Sequence, residues 1–347
     1  ENNDYFYALS SNKNIKIIIY NQVNILIPWN GLGRMHDKYV IADDSLYILG
    51  GRNTFGYFLG DYAGHKNYDR DVLVYNTGSK DSSIYQIKDY YKKITSQKCC
   101  SVFHYNESLG EKNSVKKAEQ ELKKRYESLE NKYDKFLAEN YDYKANTYET
   151  NKINLLSNPT SLYAKQPTVY YGLMYLAKNA KKEVKIHTPY IICNDYMYKE
   201  LKNIKVPTTI MTNSAENNGN IFGAVDYLNH KKDIINTGVT IKEYEGGISY
   251  HGKSMTIDDD IAIVGSFNMD MRSAYIDTEL MLVINSKDIN KQLKASMEEY
   301  EKKAATVKNE TEYSHIPEGM KMKELSDKKK NIKAWFGWAM NGLRFLF

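Results

Sequence analysis

The sequence predicts an α/β protein built by duplication, with two mixed-sheet halves. Three observations carry that expectation: a gapless internal repeat of a polar pattern, strand-like alternation within each copy, and helices alternating with strands around the second copy. The segment "MHDKYVIADDSLYILGGRN" (35–53) aligns with "YHGKSMTIDDDIAIVGSFN" (250–268). In both, His is followed by Lys at two places, Asp at seven, Gly at fourteen and Asn at seventeen. Beyond each Asn a second match pairs "DRDVLV" (69–74) with "DTELML" (277–282).

Each copy reads as a β-hairpin. "HDKYVIA" and "HGKSMTI" alternate as strands do, the acidic turns "DDS" and "DDD" follow, and "LYILG" and "IAIVG" return. Upstream of the second copy, "TVYYGLMYLAKNA" predicts a helix, and "EVKIHTPYI" and "TTIMTNS" predict strands. A helix over "AVDYLNHKKDIINTG" and a strand "TIKEYE" lead into the hairpin. Upstream of the first copy only about thirty-five residues remain, so the corresponding elements of that half are expected to be missing.

Two segments stand outside the repeat. Residues 111–140 are rich in Lys and Glu, with Val115, Ala118, Leu122, Tyr126, Leu129, Tyr133 and Leu137 spaced three or four apart. That stripe predicts one long amphipathic helix packed on its own sheet. The tail "DKKKNIKAWFGWAMNGLRFLF" (327–347) sets a basic run beside Trp335, Phe336, Trp338, Leu343, Phe345, Leu346 and Phe347. It fits a segment lying on an anionic membrane, and equally a terminal helix that buries its rings.

The bulk numbers exclude several classes. The 347 residues suffice for two or three domains or one large duplicated one. Forty-eight basic against 43 acidic residues leave +5, too small a balance to argue nucleic-acid binding from charge. Cys99, Cys100 and Cys193 form neither a disulfide framework nor a metal-ligand spacing. No apolar run reaches the length of a membrane-spanning helix. The opening "ENNDYFYALS" has neither Met nor a signal-peptide pattern, which leads us to expect a fragment lacking its N-terminal part.

Strand geometry sorts the repeated residues. Residues two apart share a face, so His36 goes with Lys38 and His251 with Lys253. Asp43 and Asp258 lie an odd number of places from their His and are expected to close the turns instead. The Gly-Gly and Gly-Ser pairs leave the backbone open to close approach. Two facing copies would gather two His, two Lys and two Asn. The Lys and Asn groups suit a phosphoryl group whose oxygens gain charge in the transition state. One His could attack phosphorus while the other protonates the leaving oxygen, with ammonium groups supplying the positive charge that a metal would otherwise bring.

The pattern His-x-Lys, four residues, Asp, six residues, Gly-Gly or Gly-Ser, one residue, Asn resembles the phospholipase D superfamily signature, complete in both copies. "GGRN" with "DRDVLV", "HTPYI", "TNSAENN" and "GSFNMDMRSAYIDTEL" are most similar to bacterial cardiolipin synthases, in particular their class C branch. The resemblance implies a duplicated phospholipase D fold: two mixed-sheet α/β halves related by a pseudo-two-fold, with the active site between them. It implies domains at 1–106 (a first half, N-terminally truncated), 107–150 (a charged helical insertion), 151–300 (the second half) and 301–347 (the tail). By the same resemblance His36 is the nucleophile of a phosphohistidine intermediate and His251 the acid and base, although the sequence leaves open which His attacks. Lys38, Asn53, Lys253 and Asn268 hold the phosphate, and Asp71 and Glu279 orient the His rings. The family implies a phospholipid substrate such as phosphatidylglycerol, a membrane surface, and no cofactor, metal or nucleic acid. Location at a bacterial inner membrane follows, with any anchor expected in the missing N-terminal part.

Relative to the second copy, seven extra residues separate Asn53 from Asp71, and this insertion, "TFGYFLGDYAGHKNY" (54–68), could line a substrate channel. Tyr190 fits either a site wall or core packing. His65, His104, His187, His230 and His315 show no mutual ligand spacing and read as surface or satisfied core residues. A phospholipase D hydrolase is the nearest alternative function. A nuclease stands well behind, and a non-catalytic lipid-binding protein last, because neither copy has lost a His or Lys.

Overall fold

The computed structural model describes residues 4–23, 26, 31–59, 66–133, 142–336 and 342–346. The chain forms two compact units, one of Glu1–Gly31 with Tyr90–Thr147 and one of Leu32–Asp89 with Tyr148–Phe347. Both copies of the repeat belong to the second unit.

In that unit the first copy forms strands β1 (Tyr39–Ala42), β2 (Leu46–Gly50) and β3 (Asp71–Tyr75), an antiparallel sheet in the order β1-β2-β3. The second half supplies β4 (Lys152–Ser157), β5 (Val184–His187), β6 (Thr208–Asn213), β7 (Thr240–Tyr244), β8 (Ser254–Ile257), β9 (Ile261–Gly265), β10 (Leu280–Asn285), β11 (Ala304–Val307) and β12 (Tyr313–His315). These make one nine-stranded mixed sheet in the order β12-β11-β7-β6-β5-β8-β9-β10-β4. The pairs β5–β6 and β6–β7 are parallel, and the rest are antiparallel. Strands β5, β6, β8 and β9 are buried along most of their length, as expected where both faces are covered.

Four helices serve this sheet: α1 (Thr168–Lys178), α2 (Asp195–Lys202), α3 (Ile221–Ile235) and α4 (Lys287–Glu301). On α1 the buried residues Val169, Tyr170, Leu173, Met174 and Ala177 make one stripe and join the main core with Ile186, Ile210, Ile263 and Phe267. Asn194, Asn220 and Ser286 cap α2, α3 and α4 by accepting from Met197, Gly223 and Ile289 backbone N–H groups. A final helix, α5 (Asp327–Phe336), docks through its charged side: buried Lys329 donates to the carbonyls of Ala215, Glu216 and Asn218 at 2.8, 2.5 and 3.0 Å. Farther on, Arg344 pairs with Asp226 at 2.7 Å. Trp335 is 76% exposed, and Leu343 and Phe345 are exposed as well, so these side chains are not what holds the tail down. Trp338, Phe347 and the side chain of Phe336 lie outside the described residues.

The other unit holds the charged segment. Its helix runs Asn113–Lys132, and Val115 and Ala118 pack with Ala8, Tyr5, Tyr7 and Leu122. The expected sheet is therefore replaced as packing partner by the short helix Asp4–Ser10, with Tyr5 Oη donating to Glu121 at 2.7 Å. Tyr126 and Leu129 are exposed, so only the first half of the stripe is covered. Leu137 lies outside the described residues.

Both hairpins close with the same register: Tyr39 opposite Leu49 and Ser254 opposite Val264. Asp43 and Asp258 sit in the left-handed region at φ 48° and 51°, so the motif Asp is a turn residue. The Asp258 carboxylate accepts from the backbone N–H of Lys181 (2.9 Å), Lys182 (2.7 Å) and Glu183 (3.2 Å), tying the turn to the start of β5. Replacing Asp258 by Ala is expected to cost about 1–3 kcal/mol, through lost acceptors and because Asp tolerates the left-handed region better than Ala. Asp258→Gly should cost less, since it loses only the acceptors. Thermal unfolding of both variants checks the order.

Candidate active site

The two copies are joined by a reciprocal exchange. Met35, just before His36, makes a parallel bridge to Thr278, just before Glu279. Tyr250, just before His251, pairs in parallel with Tyr68, just before Asp69. Each His is thereby set beside a carboxylate from the other copy. His36 Nδ1 lies 2.9 Å from Glu279 Oε1, and His251 Nδ1 lies 2.6 Å from Asp69 Oδ2. Both carboxylate side chains are fully buried. A carboxylate on Nδ1 fixes the tautomer and leaves Nε2 as the nitrogen available for chemistry.

This geometry corrects one assignment. The acid expected on the second His was Asp71, but Asp71 binds Arg52 instead, accepting from Nε at 2.5 Å and from the backbone N–H at 3.3 Å. Strand register gives the reason. Gly50 lies opposite Asp71, whereas Gly265 lies opposite Met281. Asp71 is thus the counterpart of Met281, and Asp69 that of Glu279. Aligning "DRDVLV" with "DTELML" slips the copies by two residues, a shift that leaves every side chain on the same face and so preserves the alternation.

The lysines behave alike in both copies. Lys38 Nζ donates to the carbonyl of His36, and Lys253 Nζ donates to that of His251 at 2.5 Å. Lys253 is almost wholly buried, with its Nζ 3.9 Å from Asp69 Oδ2 and 3.0 Å from His251 Nε2. It also lies 2.5 Å from His251 Nδ1. Of the contacts at Nδ1, the one to Asp69 sets the tautomer, because an ammonium has only protons to offer. Burial lowers both lysines to about 8. Burial, then Lys38 and Lys253, pushes His36 well below its ordinary value, and burial with Lys253 takes His251 to about 3. Both rings are neutral at pH 7.

The two carboxylates differ. Glu279 accepts from Ser266 Oγ and, at 2.6 Å, from Ser273 Oγ, and burial raises it to about 7 despite Lys38. Burial alone would raise Asp69 too, but Lys253 and His251 outweigh it and hold this carboxyl below its usual range. Asp69 Oδ1 also accepts from the Arg70 backbone N–H at 2.8 Å. Gly51 makes room for this arrangement: a Cβ there would lie 2.4 Å from Asp69 Oδ1 and 2.9 Å from Lys253 Cδ. Ser266 is its counterpart in the second copy.

Asn268 is buried, and its Nδ2 donates to Tyr190 Oη at 3.1 Å, which places Tyr190 at the site. Its Oδ1 is buried without a partner. Asn53 stands at the counterpart position after β2, half-buried. Sequence reasoning missed Asp69, Ser266, Ser273 and Arg70. Arg70 reaches across the copies to Tyr250 Oη (2.8 Å) and Ser254 Oγ (2.6 Å), on either side of His251 and Lys253. Of the remaining histidines, His187 is buried between Tyr250 Oη and Glu301, both at 3.2 Å, and His230 lies 3.1 Å from Asp233. His104 and His315 are exposed, and His65 lies outside the described residues.

In ¹⁵N-resolved imidazole spectra at pH 7, both motif rings are expected as neutral Nδ1–H tautomers. Asp69→Ala should shift the His251 signals and Asp71→Ala should leave them in place. The reverse pattern would restore Asp71 as the orienting acid.

Residues 173–300 match the family described as "Cardiolipin synthase, PLD-like domain". An uncharacterised protein of Helicobacter pylori is 26% identical over 297 residues, which cover 77% of this chain and 57% of the relative. Cardiolipin synthase 1 of Staphylococcus epidermidis is 30% identical over 159 residues, covering 45% of this chain and 32% of the relative. The chain thus spans little more than half the length of the first of these curated relatives. Among solved structures, a phosphatidylserine synthase of Haemophilus influenzae superposes with a TM-score of 0.58 at 18% identity, covering 91% of this chain and 72% of that one, which establishes a common fold. This fold, the family match over residues 173–300 and two complete His-x-Lys motifs at one internal spacing support placing the chain in the phospholipase D superfamily, cardiolipin synthase-like.

Proposed function

We propose that the protein is a phosphatidyltransferase that makes cardiolipin through a phosphohistidine intermediate. The observation that carries this reading is the pair of neutral histidines, each with a carboxylate on Nδ1 and a lysine two residues on. In the first step His36 Nε2 attacks phosphorus of phosphatidylglycerol, and the bond to the glycerol headgroup oxygen breaks. His251, which takes up a proton on Nε2 beside ionised Asp69 as the phosphodiester anion binds, delivers that proton to this oxygen. In the second step a hydroxyl of another phosphatidylglycerol attacks phosphorus, the bond to His36 Nε2 breaks and frees the neutral ring, and the hydroxyl proton passes to His251. The products are cardiolipin and glycerol.

The assignment of roles rests on the two carboxylates. A nucleophile must be neutral, and Glu279, raised to about 7, offers His36 less counter-charge than an ordinary ionised carboxylate would. Asp69 stays ionised and favours an imidazolium on His251 when a proton must be held. Lys38, Lys253, Asn53 and Asn268 would hold the non-bridging oxygens. An anionic membrane is the proposed setting. Lys328, Lys330 and Lys333 are exposed beside Trp335 on α5, a basic and aromatic combination suited to such a surface. No helix among the described residues is long and apolar enough to cross a membrane.

The test is product analysis with phosphatidylglycerol vesicles and the whole chain. Cardiolipin plus glycerol supports the transferase, while phosphatidic acid without cardiolipin makes the protein a hydrolase. His251→Ala should lower turnover by about a thousandfold and leave phosphatidyl label on His36. Label that survives His36→Ala would reverse the two roles.

The pH profile adds a second check. Both ammonium groups titrate at about 8 in the free protein, so kcat/KM is full below that pH and declines as pH rises through it. A rate flat from pH 7 to 10 would remove the lysines from the transition state.

A further inference from the structure

The copies differ most after their Asn. In the second copy the chain passes directly into Met269–Asp270, buried and paired in parallel with Ile191–Ile192. In the first copy the segment following Asn53 makes a short 3₁₀ turn, Gly56–Phe58, closed by Phe58 N–H to Phe55 O at 2.9 Å and Leu59 N–H to Gly56 O at 3.0 Å. The turn sorts its side chains. Phe58 is 3% exposed and meets the His251 ring edge-to-face at 4.9 Å, while Phe55 and Leu59 are 60% and 56% exposed.

Arg52 anchors this turn. It stands at the motif position filled in the second copy by Phe267, a core residue. Its guanidinium donates to the Phe58 carbonyl at 2.6 Å, to the Asp69 carbonyl at 3.0 Å and to Asp71 at 2.5 Å. This gives Asp71 a purpose: it holds the arginine that holds Phe58 against His251. Phe55 stacks on Tyr57 with centroids 5.6 Å apart, and Tyr57 meets Phe58 at 4.9 Å. An unbroken row of rings therefore leads from the surface to the ring of His251.

We infer that Phe55 and Leu59, carried on buried Phe58, form an apolar lip that receives the hydrocarbon part of a lipid phosphodiester and directs its phosphate between the two histidines. The inference rests on the lipid reading above and names a part of the site that handles the substrate's apolar end. The lip is continuous with the site through Phe58, and Leu59 adds aliphatic surface that a base-stacking platform does not need. Phe55 and Tyr57 already spend one face each on one another, with their planes 2° apart. The net charge of +5 is small for a nucleic-acid groove.

The test compares two substrates on one preparation of the whole chain: phosphatidylglycerol vesicles and the soluble diester bis(4-nitrophenyl) phosphate. Loss of folded protein cancels in the ratio of the two specificity constants. In the double variant Phe55→Ser, Leu59→Ser, the phospholipid-to-diester ratio is expected to fall about tenfold as apolar contact is lost. An unchanged or raised ratio overturns the inference. So does an equal fall for a single-stranded oligonucleotide relative to the diester, which would make the row of rings a base-stacking platform. A wild-type protein inert on phosphatidylglycerol overturns the lipid reading itself, and this inference with it.

Discussion

The site depends on two short backbone bridges, Met35 to Thr278 and Tyr250 to Tyr68. Each fixes the residue before a motif His beside the residue before a carboxylate of the other copy. Neither copy can therefore orient its own His, because the carboxylate belongs to its partner in the repeat. Packing follows the same constraint: β2 and β3 of the first copy lie against β9 of the second, where corresponding strands meet. Duplication here is a requirement of the geometry, since one copy supplies a His and a Lys but not the acid that fixes the tautomer of that His.

Around this shared frame the copies have diverged at single positions with chemical consequences. Ser266 puts a hydroxyl on Glu279, whereas its counterpart Gly51 clears space that the Asp69 carboxylate fills. Phe267 goes to the core, whereas its counterpart Arg52 turns outward to hold Asp71 and Phe58. The result is one buried carboxyl near 7 with hydroxyl donors and one held ionised by an ammonium. Two rings that the repeat makes equivalent thus face carboxyls of different proton affinity, as a two-step transfer needs of a nucleophile and a proton carrier.

Much of this was legible in the sequence because the repeat is gapless across both hairpins, and side-chain period and turn residues agree there. The Asp at the seventh place reads as a turn residue from parity alone, and it occupies the left-handed region in both copies. What escaped was the pairing beyond the Asn. Asp69 and Asp71 share a face and an identity, and only hydrogen-bond register, a long-range property, separates them. Arg70 was invisible for a similar reason, since its partners Tyr250 and Ser254 lie about 180 residues away. The helix at 113–132 was legible as a helix, but its stripe carries no record of its partner, and the short helix Asp4–Ser10 takes the place where a sheet was expected.

The charge of the assembled site also bears on what it accepts. Two ammonium groups, titrating at about 8, face one carboxylate held ionised and a second that sits near 7. Both rings are neutral. The excess is at most about one positive charge in a buried place, where an unbalanced charge is costly. A phosphodiester brings a single negative charge and balances that excess, whereas a dianionic phosphomonoester would overshoot it. Charge that grows on the non-bridging oxygens as the phosphorus is attacked then meets the two lysines at close range in a low-dielectric site. A proton arriving on His251 stays beside an ionised Asp69. Burial, which depresses Lys38, Lys253 and His251, thus works toward the diester, because binding the anion returns to them the proton affinity that burial removed.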